Sequence, residues 1–176
     1  MLPVDYLSDV TRRLRRGPLL PEDCGSKVTI DRTGLSHLVP HRASMLLVDT
    51  IDAIDLDNSV IRGRRQLEAA DIGFDGHFPG EPVYPGTFTV EAMGQLALAL
   101  LHFRESRVLA IPDRPATRTV RATHIHHATF LAPFYPGDAM TLHAQLDESG
   151  LTFVASGQAY RGDVLAAYAV SEFYVD

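Results

Sequence analysis

The chain has 176 residues, a formal charge of −6 and one cysteine. That length fits a single domain with a substantial core, and the lone Cys24 cannot form an internal disulfide, which favours a reducing cytoplasm. The negative charge disfavours nucleic acid as the main partner. No signal-peptide pattern opens the chain, and no stretch approaches about 18 uninterrupted apolar residues. We therefore expect a soluble cytoplasmic protein without a membrane span.

Residues 1–35 are predicted to form an extension ahead of a main domain at 36–176. The extension holds one short amphipathic helix, with Leu7, Val10 and Leu14 on its apolar side. Proline and glycine then interrupt regular structure up to about Gly25. The basic run at residues 12–16 is interpreted either as a site for an acidic partner or as a solvated helix face.

The next elements alternate between strand patterns and turn signals. A strand at 45–54, a turn at 55–58 and a second strand at 59–68 predict a hairpin. Residues 71–86 are rich in glycine and proline and read as an ordered loop. A helix follows at 86–103, a linker at 112–115, and then four strands at about 119–131, 138–147, 151–160 and 164–175.

The helix at 86–103 is apolar on almost every face, so it must be buried nearly all round. Strands that precede and follow one helix, rather than alternating with helices, indicate an α+β protein with an antiparallel sheet. One long buried helix wrapped by a curved antiparallel sheet is the form of the hot-dog fold. We therefore predict the hot-dog fold.

A stripe of polar side chains interrupts this apolar helix. Thr87, Glu91 and Gln95 stand four residues apart and share one helix face. A buried carboxyl costs several kcal/mol unless it is neutral, paired or hydrogen-bonded. Glu91 is thus a candidate functional group, or else a carboxylate that lies at a solvent-facing edge or pairs with an arginine.

The loop before the helix carries a second candidate group, His77. Prolines stiffen this loop, and glycines let its backbone approach a ligand. Gly86 opens the helix, where N–H groups without intrahelical partners can receive a developing oxyanion. The segment therefore predicts a fixed imidazole beside an oxyanion site.

These residues form a pattern that resembles the 3-hydroxyacyl-(acyl-carrier-protein) dehydratases of fatty-acid synthesis. The resemblance spans roughly residues 36–175 and rests on the following segments: His77-Phe78-Pro79-Gly80, Pro82, Pro85-Gly86, Glu91-Ala92-Met93 and Gln95, with Pro40-His41-Arg42, Leu46-Leu47-Val48-Asp49, Phe130, Pro133 and Pro136-Gly137-Asp138 on either side.

The resemblance implies dehydration of a (3R)-hydroxyacyl thioester, carried on acyl carrier protein, to the trans-2-enoyl thioester. His77 is then the base for the C2 proton, and Glu91 is the acid for the hydroxyl, kept protonated by burial. Gly86 supplies the oxyanion N–H, and we assign further substrate contacts to Phe78, Phe88 and Gln95. The resemblance also implies a homodimer in which His77 of one chain works with Glu91 of the other, without metal or organic cofactor.

Two departures from the family pattern concern the carrier-protein partner and the branch of the family. Leu131-Ala132 stands where related dehydratases usually carry an arginine pair, which affects carrier-protein docking. The N-terminal extension is similar to that of the decanoyl dehydratase-isomerase branch, but that branch has aspartate where this chain has Glu91. Bulk fatty-acid synthesis and a specialised pathway such as polyketide synthesis both stay open.

Other functions compete with the dehydratase. A hot-dog thioesterase would use a carboxylate on the same helix, and an acyl-thioester-sensing protein would have no activity. His124 and His126 share one face of a strand, but without a third ligand they argue only weakly for a metal. His37 and His41 are assigned to turns or hydrogen-bond networks.

Overall fold

The computed structural model describes residues 2–115 and 119–176, which contain three α-helices, one 3-10 turn and seven strands. In chain order the elements are α1 (Val4–Leu14), β1 (Ser26–Ile30), α2 (Arg32–Leu38), the 3-10 turn (Ala43–Met45), β2 (Thr50–Asp55), β3 (Val60–Gln66), α3 (Gly86–Ser106), β4 (Val120–Phe130), β5 (Ala139–Ser149), β6 (Thr152–Arg161) and β7 (Val164–Val175).

The described strands form one antiparallel sheet in the order β1-β2-β3-β5-β6-β7-β4. The sheet packs its inner face on α3, whose side chains form the main core together with those of the strands. The sheet approaches α3 closely at Gly157, where an added Cβ would lie 2.6 Å from Cβ of Met93. One long helix against a curved antiparallel sheet confirms the α+β class and the hot-dog fold.

The predicted helix and strands are confirmed from residue 59 onwards. The first strand is shorter than predicted: β2 begins at Thr50, because residues 43–45 form a 3-10 turn. The predicted extension also contains a strand, β1, which pairs with β2 at the sheet edge. Only Ile30 of β1 is buried, so the apolar alternation that reveals a strand in a sequence is weak there.

The N-terminal segment covers part of the outer face of the sheet. Val10 and Leu14 of α1 are buried in a second apolar cluster against Val154 and Val170, which confirms the predicted apolar side of this helix. The arginines at positions 12, 13, 15 and 16 point to solvent. Among the described residues, no helix combines the length and the apolar character that a membrane crossing requires.

Candidate active site

The loop that carries His77 is held by its own backbone. The Phe78 N–H donates to the carbonyl of Glu81 at 3.0 Å, and the Glu81 N–H donates back to Phe78 at 3.1 Å. The Val83 N–H donates to the His77 carbonyl at 2.8 Å. Gly76 and Gly80 have φ angles of +81° and +85°, a region that disfavours residues with a Cβ. The loop is therefore ordered, as its composition predicts.

The imidazole of His77 is fixed in one tautomer. Its Nδ1 lies 2.8 Å from the carbonyl oxygen of Val83. Because a carbonyl only accepts, Nδ1 must carry the hydrogen, which leaves a lone pair on Nε2 of the neutral ring. Phe78 is exposed and stacks on the imidazole, with ring centroids 4.2 Å apart. His77 thus has the form of a base whose orientation is set by the backbone.

A first cavity, of about 430 Å³, opens beside His77. Its lining includes Gly86 at the start of α3 and Phe130 at the end of β4. An added Cβ on Gly86 would lie 2.6–2.9 Å from the Phe130 ring, so only glycine allows this approach. As the first helical residue, Gly86 has an N–H without an intrahelical acceptor. The other lining residues are Val83, Tyr84, Pro85, Thr87, Thr89, Leu131, Ala132, Pro133, Phe134 and Ala167.

Glu91 lies on α3 in a hydrogen-bonded group of three side chains. Its Oε1 is 3.1 Å from Nε2 of His41 and 2.9 Å from Nε2 of Gln95. Gln95 is buried and also bonds the end of the 3-10 turn and the segment that follows it. It donates to the Met45 carbonyl and accepts from the Leu47 N–H, each at 2.8 Å. Gln95 therefore anchors Glu91 to the backbone that leads into β2.

In the single chain, the pKa of Glu91 is shifted in the direction opposite to the one expected from burial. Its side chain is 39% exposed in the single chain. The hydrogen bond from His41 holds the pKa of Glu91 below its ordinary value; burial acts in the opposite direction, and the bond from Gln95 again lowers it. In the single chain the hydrogen bonds to Glu91 therefore outweigh desolvation, and the protonation of Glu91 by burial stays a prediction for the assembled site.

A second cavity, of about 310 Å³, opens beside Glu91 and His41. The opposite wall comes from the sheet edge, with Ala122 and Ile125 of β4. The linings of the two cavities share Thr87. His77 lines only the first cavity and Glu91 only the second, so a single chain does not bring the two groups into one cavity.

The residues predicted to contact the substrate do not all line the two cavities. Phe88 is half-buried and packs edge-on against Tyr84, with ring centroids 5.9 Å apart, and it lines neither of these two cavities. Roles for Phe78, Phe88 and Gln95 in substrate binding stay predictions.

His41 takes part in a hydrogen bond with Glu91 that the sequence does not predict. The sequence assigns His41 only to a turn or a hydrogen-bond network, although the segment Pro40-His41-Arg42 is part of the resemblance. His37 does belong to such a network, since its Nδ1 lies 2.8 Å from the Pro112 carbonyl.

Solved structures with the same fold include a dehydratase heterocomplex, ApeI:P, from Xenorhabdus doucetiae (TM-score 0.61, 13% identity, 81% of this chain and 90% of that one). Cj0977, a sigma28-regulated virulence protein from Campylobacter jejuni, matches with a TM-score of 0.55 and 15% identity over 82% of this chain and 96% of its own. At such identities the likeness concerns the fold alone, and the molecule is a hot-dog protein with a histidine loop and a helix carboxylate.

The model of the FabA-like domain matches residues 39–169, and the chain belongs to that family. The 3-hydroxyacyl-[acyl-carrier-protein] dehydratase FabZ of Sulfurimonas denitrificans is 33% identical over 80% of this chain and 93% of its own length. The protein of the same name from Rickettsia felis is 39% identical over 68% of this chain and 77% of its own length.

Proposed function

We propose that this chain is a 3-hydroxyacyl-[acyl-carrier-protein] dehydratase, with His77 and Glu91 as its proton-transfer groups. The observation that carries the proposal is the His77 ring, held through Nδ1 by the Val83 carbonyl and lining one cavity with Gly86. The relatives named for this reaction support it. The rigid loop from His77 to Gly86 favours a dehydratase over a thioesterase, which would use a carboxylate on α3 to activate water.

The first half of the reaction follows from the His77 cavity. Nε2 of His77 removes the C2 proton, and negative charge develops on the thioester oxygen. The Gly86 N–H, at the positive end of the α3 dipole, stabilises that charge. The electron pair left at C2 forms the double bond to C3 as the C3–oxygen bond breaks.

The second half requires a proton for the departing hydroxyl. In our proposal the His41–Glu91 pair supplies it: the carboxyl of Glu91 protonates the leaving oxygen, and His41 Nε2 donates to the carboxylate that results. Water leaves, and His77 returns its proton to the pair through solvent after the product departs. His41 is a positioning residue in this scheme, because it acts through Glu91.

A homodimer would join the two half-sites. β4 is the last strand of the sheet and pairs only with β7 in the described structure. Its exposed side chains include Ile125 and Phe130, which are 61% and 54% exposed and line the Glu91 and His77 cavities respectively. A long unpaired edge of this kind is a template for another strand. Because the Glu91 cavity is walled by β4, a partner seated on this edge would reach that cavity with its own His77 loop.

Burial in such a dimer would also change the pKa of Glu91. Covering the exposed part of the side chain adds desolvation, which raises a carboxyl pKa. The dimer would thereby move Glu91 towards the protonated form that the hydroxyl needs, while His41 keeps the carboxylate form accessible. Both forms are required within one catalytic cycle.

The test is incubation of the purified protein with a 3-hydroxyacyl thioester, recorded for enoyl-thioester absorbance and for free thiol. We expect the enoyl signal without thiol release. Free thiol without enoyl product would indicate a thioesterase. Tight binding of the thioester without either signal would indicate a non-enzymatic acyl-binding protein, and both of these outcomes overturn the proposal.

The carrier and the pathway form a separate question. Leu131 and Ala132 line the His77 cavity, and both of their N–H groups donate to the Ala166 carbonyl, so an apolar surface stands where the resemblance places an arginine pair. We propose acyl carrier protein as the carrier; a higher kcat/KM for the carrier-protein thioester than for the coenzyme A thioester would support this. Service in a polyketide-type pathway, cytoplasmic location and the domain boundary at residue 35 stay predictions.

A further inference from the structure

A cluster of potential metal ligands lies on β4 and β7. Nε2 of His126 is 2.7 Å from Oε2 of Glu172, and Nδ1 of His124 is 3.6 Å from the same oxygen. One ligand atom from each of the three residues lies within 4.8 Å of the others. The imidazoles of His124 and His126 stack with centroids 5.2 Å apart. Glu172 is the third ligand that the sequence interpretation lacked.

The sheet register brings these residues together on the outer face. His124 pairs directly with Glu172, and β4 is irregular between residues 125 and 127, which places His126 beside the same carboxylate. Glu172 pairs on its other side with Val154, which belongs to the apolar cluster under α1. The next residue, Phe173, belongs to the main core around α3, so the Glu172 side chain is directed to the outer face, although Glu172 also contributes to the lining of the Glu91 cavity.

In the single chain, the cluster is supported by neighbouring residues on one side and is open towards solvent on the other. The side chains of His126 and Glu172 are only 8% and 12% exposed, whereas His124 is 60% exposed. The hydroxyl of Thr152 donates to Oε1 of Glu172, the oxygen that the histidines do not contact. An outer hydrogen bond of this kind orients a carboxylate that binds metal through its other oxygen.

We propose that His124, His126 and Glu172 bind a divalent transition-metal ion of the zinc class. Ligand atoms about 2.0–2.1 Å from a tetrahedral zinc lie roughly 3.3 Å from one another. The observed 2.7 Å and 3.6 Å separations bracket that value, so rotation of side chains suffices. Imidazole and carboxylate ligands suit zinc, copper and nickel, and water would occupy the fourth position beside His124.

Metal binding at this cluster displaces a hydrogen. At 2.7 Å the His126 Nε2 hydrogen is donated to Glu172, and a metal bound by both atoms takes its place, so that the neutral ring carries its hydrogen on Nδ1 instead. Because only neutral imidazoles and an ionised carboxylate bind the metal, the affinity rises with pH until these forms predominate. The bound ion joins β4 to β7, so it also stabilises the native state by mass action.

The test is calorimetric titration of the dialysed full-length protein with Zn²⁺ at two pH values. We expect one ion per chain, bound more tightly at the higher pH. His124→Ala removes an exposed ligand and should weaken binding by more than roughly 100-fold, beyond the usual cost of losing an outer-shell partner. Glu172→Gln, which keeps the shape of the side chain, should weaken it similarly.

The matched control is His127→Gln, because His127 lies on the same strand and bonds Thr129 instead of Glu172. Its Zn²⁺ affinity should equal that of the unchanged protein. Co²⁺ provides a second readout, with visible bands of a tetrahedral site that disappear in His124→Ala. Absence of stoichiometric binding, or equal affinity in His124→Ala and His127→Gln, would overturn the proposal. Because Glu172 also lines the Glu91 cavity, the metal proposal is judged on zinc affinity alone and the dehydratase proposal on enoyl product alone, so failure of one is distinguished from failure of the other.

Discussion

The two faces of the sheet use polar side chains in different ways. On the inner side, His77 and Glu91 each border a cavity. On the outer side, Gln158 is fully buried and binds the N-terminal segment, donating to the carbonyls of Leu14 and Gly17 and accepting from the Leu19 N–H. The inner groups are held so that they can meet a reactant, whereas Gln158 on the outer face holds the chain itself. Substitutions on the two faces should therefore separate activity from stability.

The largest effect is expected from the inner pair. His77→Ala removes the base and Glu91→Gln removes the acid, and each should lower kcat/KM by roughly 10²- to 10⁴-fold, with the thermal midpoint nearly unchanged. Steady-state kinetics on a 3-hydroxyacyl thioester and a melting curve measure both. The control is Glu81→Gln, an exposed glutamate in the His77 loop, which should retain activity. Full activity in either site variant would disprove the assignment.

Mixing the two inactive variants tests whether the half-sites belong to different chains. A heterodimer of His77→Ala and Glu91→Gln contains one site with both groups intact if the site spans two protomers. Equal mixing after unfolding and refolding should restore about a quarter of the wild-type activity, since half of the dimers are mixed and each has one such site. No recovery, despite mixed dimers shown by mass spectrometry, would place both groups in one chain.

On the outer face, His143 should control stability instead of turnover. Burial, together with the nearby Arg62, lowers the pKa of His143 from 6.5 to about 4. The unfolded chain then binds a proton that the folded chain rejects as the pH falls from about 6.5 to 4, so stability decreases in that window. The loss should reach about 3 kcal/mol.

Denaturant unfolding across that pH range measures the effect. His143→Gln keeps an acceptor for the Leu20 N–H. This variant should reduce the change in the free energy of unfolding across that pH range by the same amount. The control His102→Gln leaves His143 in place and should keep the wild-type slope. An unchanged slope in His143→Gln would mean that other groups account for the acid sensitivity. Activity at neutral pH should be unaffected in both variants.

The smallest effect is expected at His41, which acts through Glu91. His41→Ala removes the main cause of the lowered Glu91 pKa, so that pKa should rise in a carbon-detected NMR titration of the carboxyl. Turnover should fall about tenfold, which is less than the roughly 10²-fold loss that follows when a reacting group is misplaced. The pH dependence of kcat/KM should shift as well. His37→Ala, on the Pro112 carbonyl, is the control. An unchanged Glu91 pKa in His41→Ala would show that the bond has no such influence.

Much of the fold could be predicted because its signals are local. An all-round apolar run bounded by Gly86 gives α3, and alternation between turns gives the strands from residue 120 onwards. The His77 loop was also readable, since glycine and proline report backbone conformation directly. β1 was missed because one buried side chain, Ile30, carries no periodicity, and the start of β2 was placed too early because apolar residues at 46–48 continue the pattern without strand pairing.

The functional site also has a part that the sequence predicts and a part that only the fold decides. The sequence by itself determined which groups the molecule offers: an imidazole in a stiff loop, a carboxylate on a buried helix, and two histidines on one strand. Only the tertiary structure decided their partners, because His41 meets Glu91 and Glu172 meets His126 across contacts between distant segments. Such contacts depend on helix crossing and strand register, and a side chain's protonation and its capacity to bind an ion follow from them.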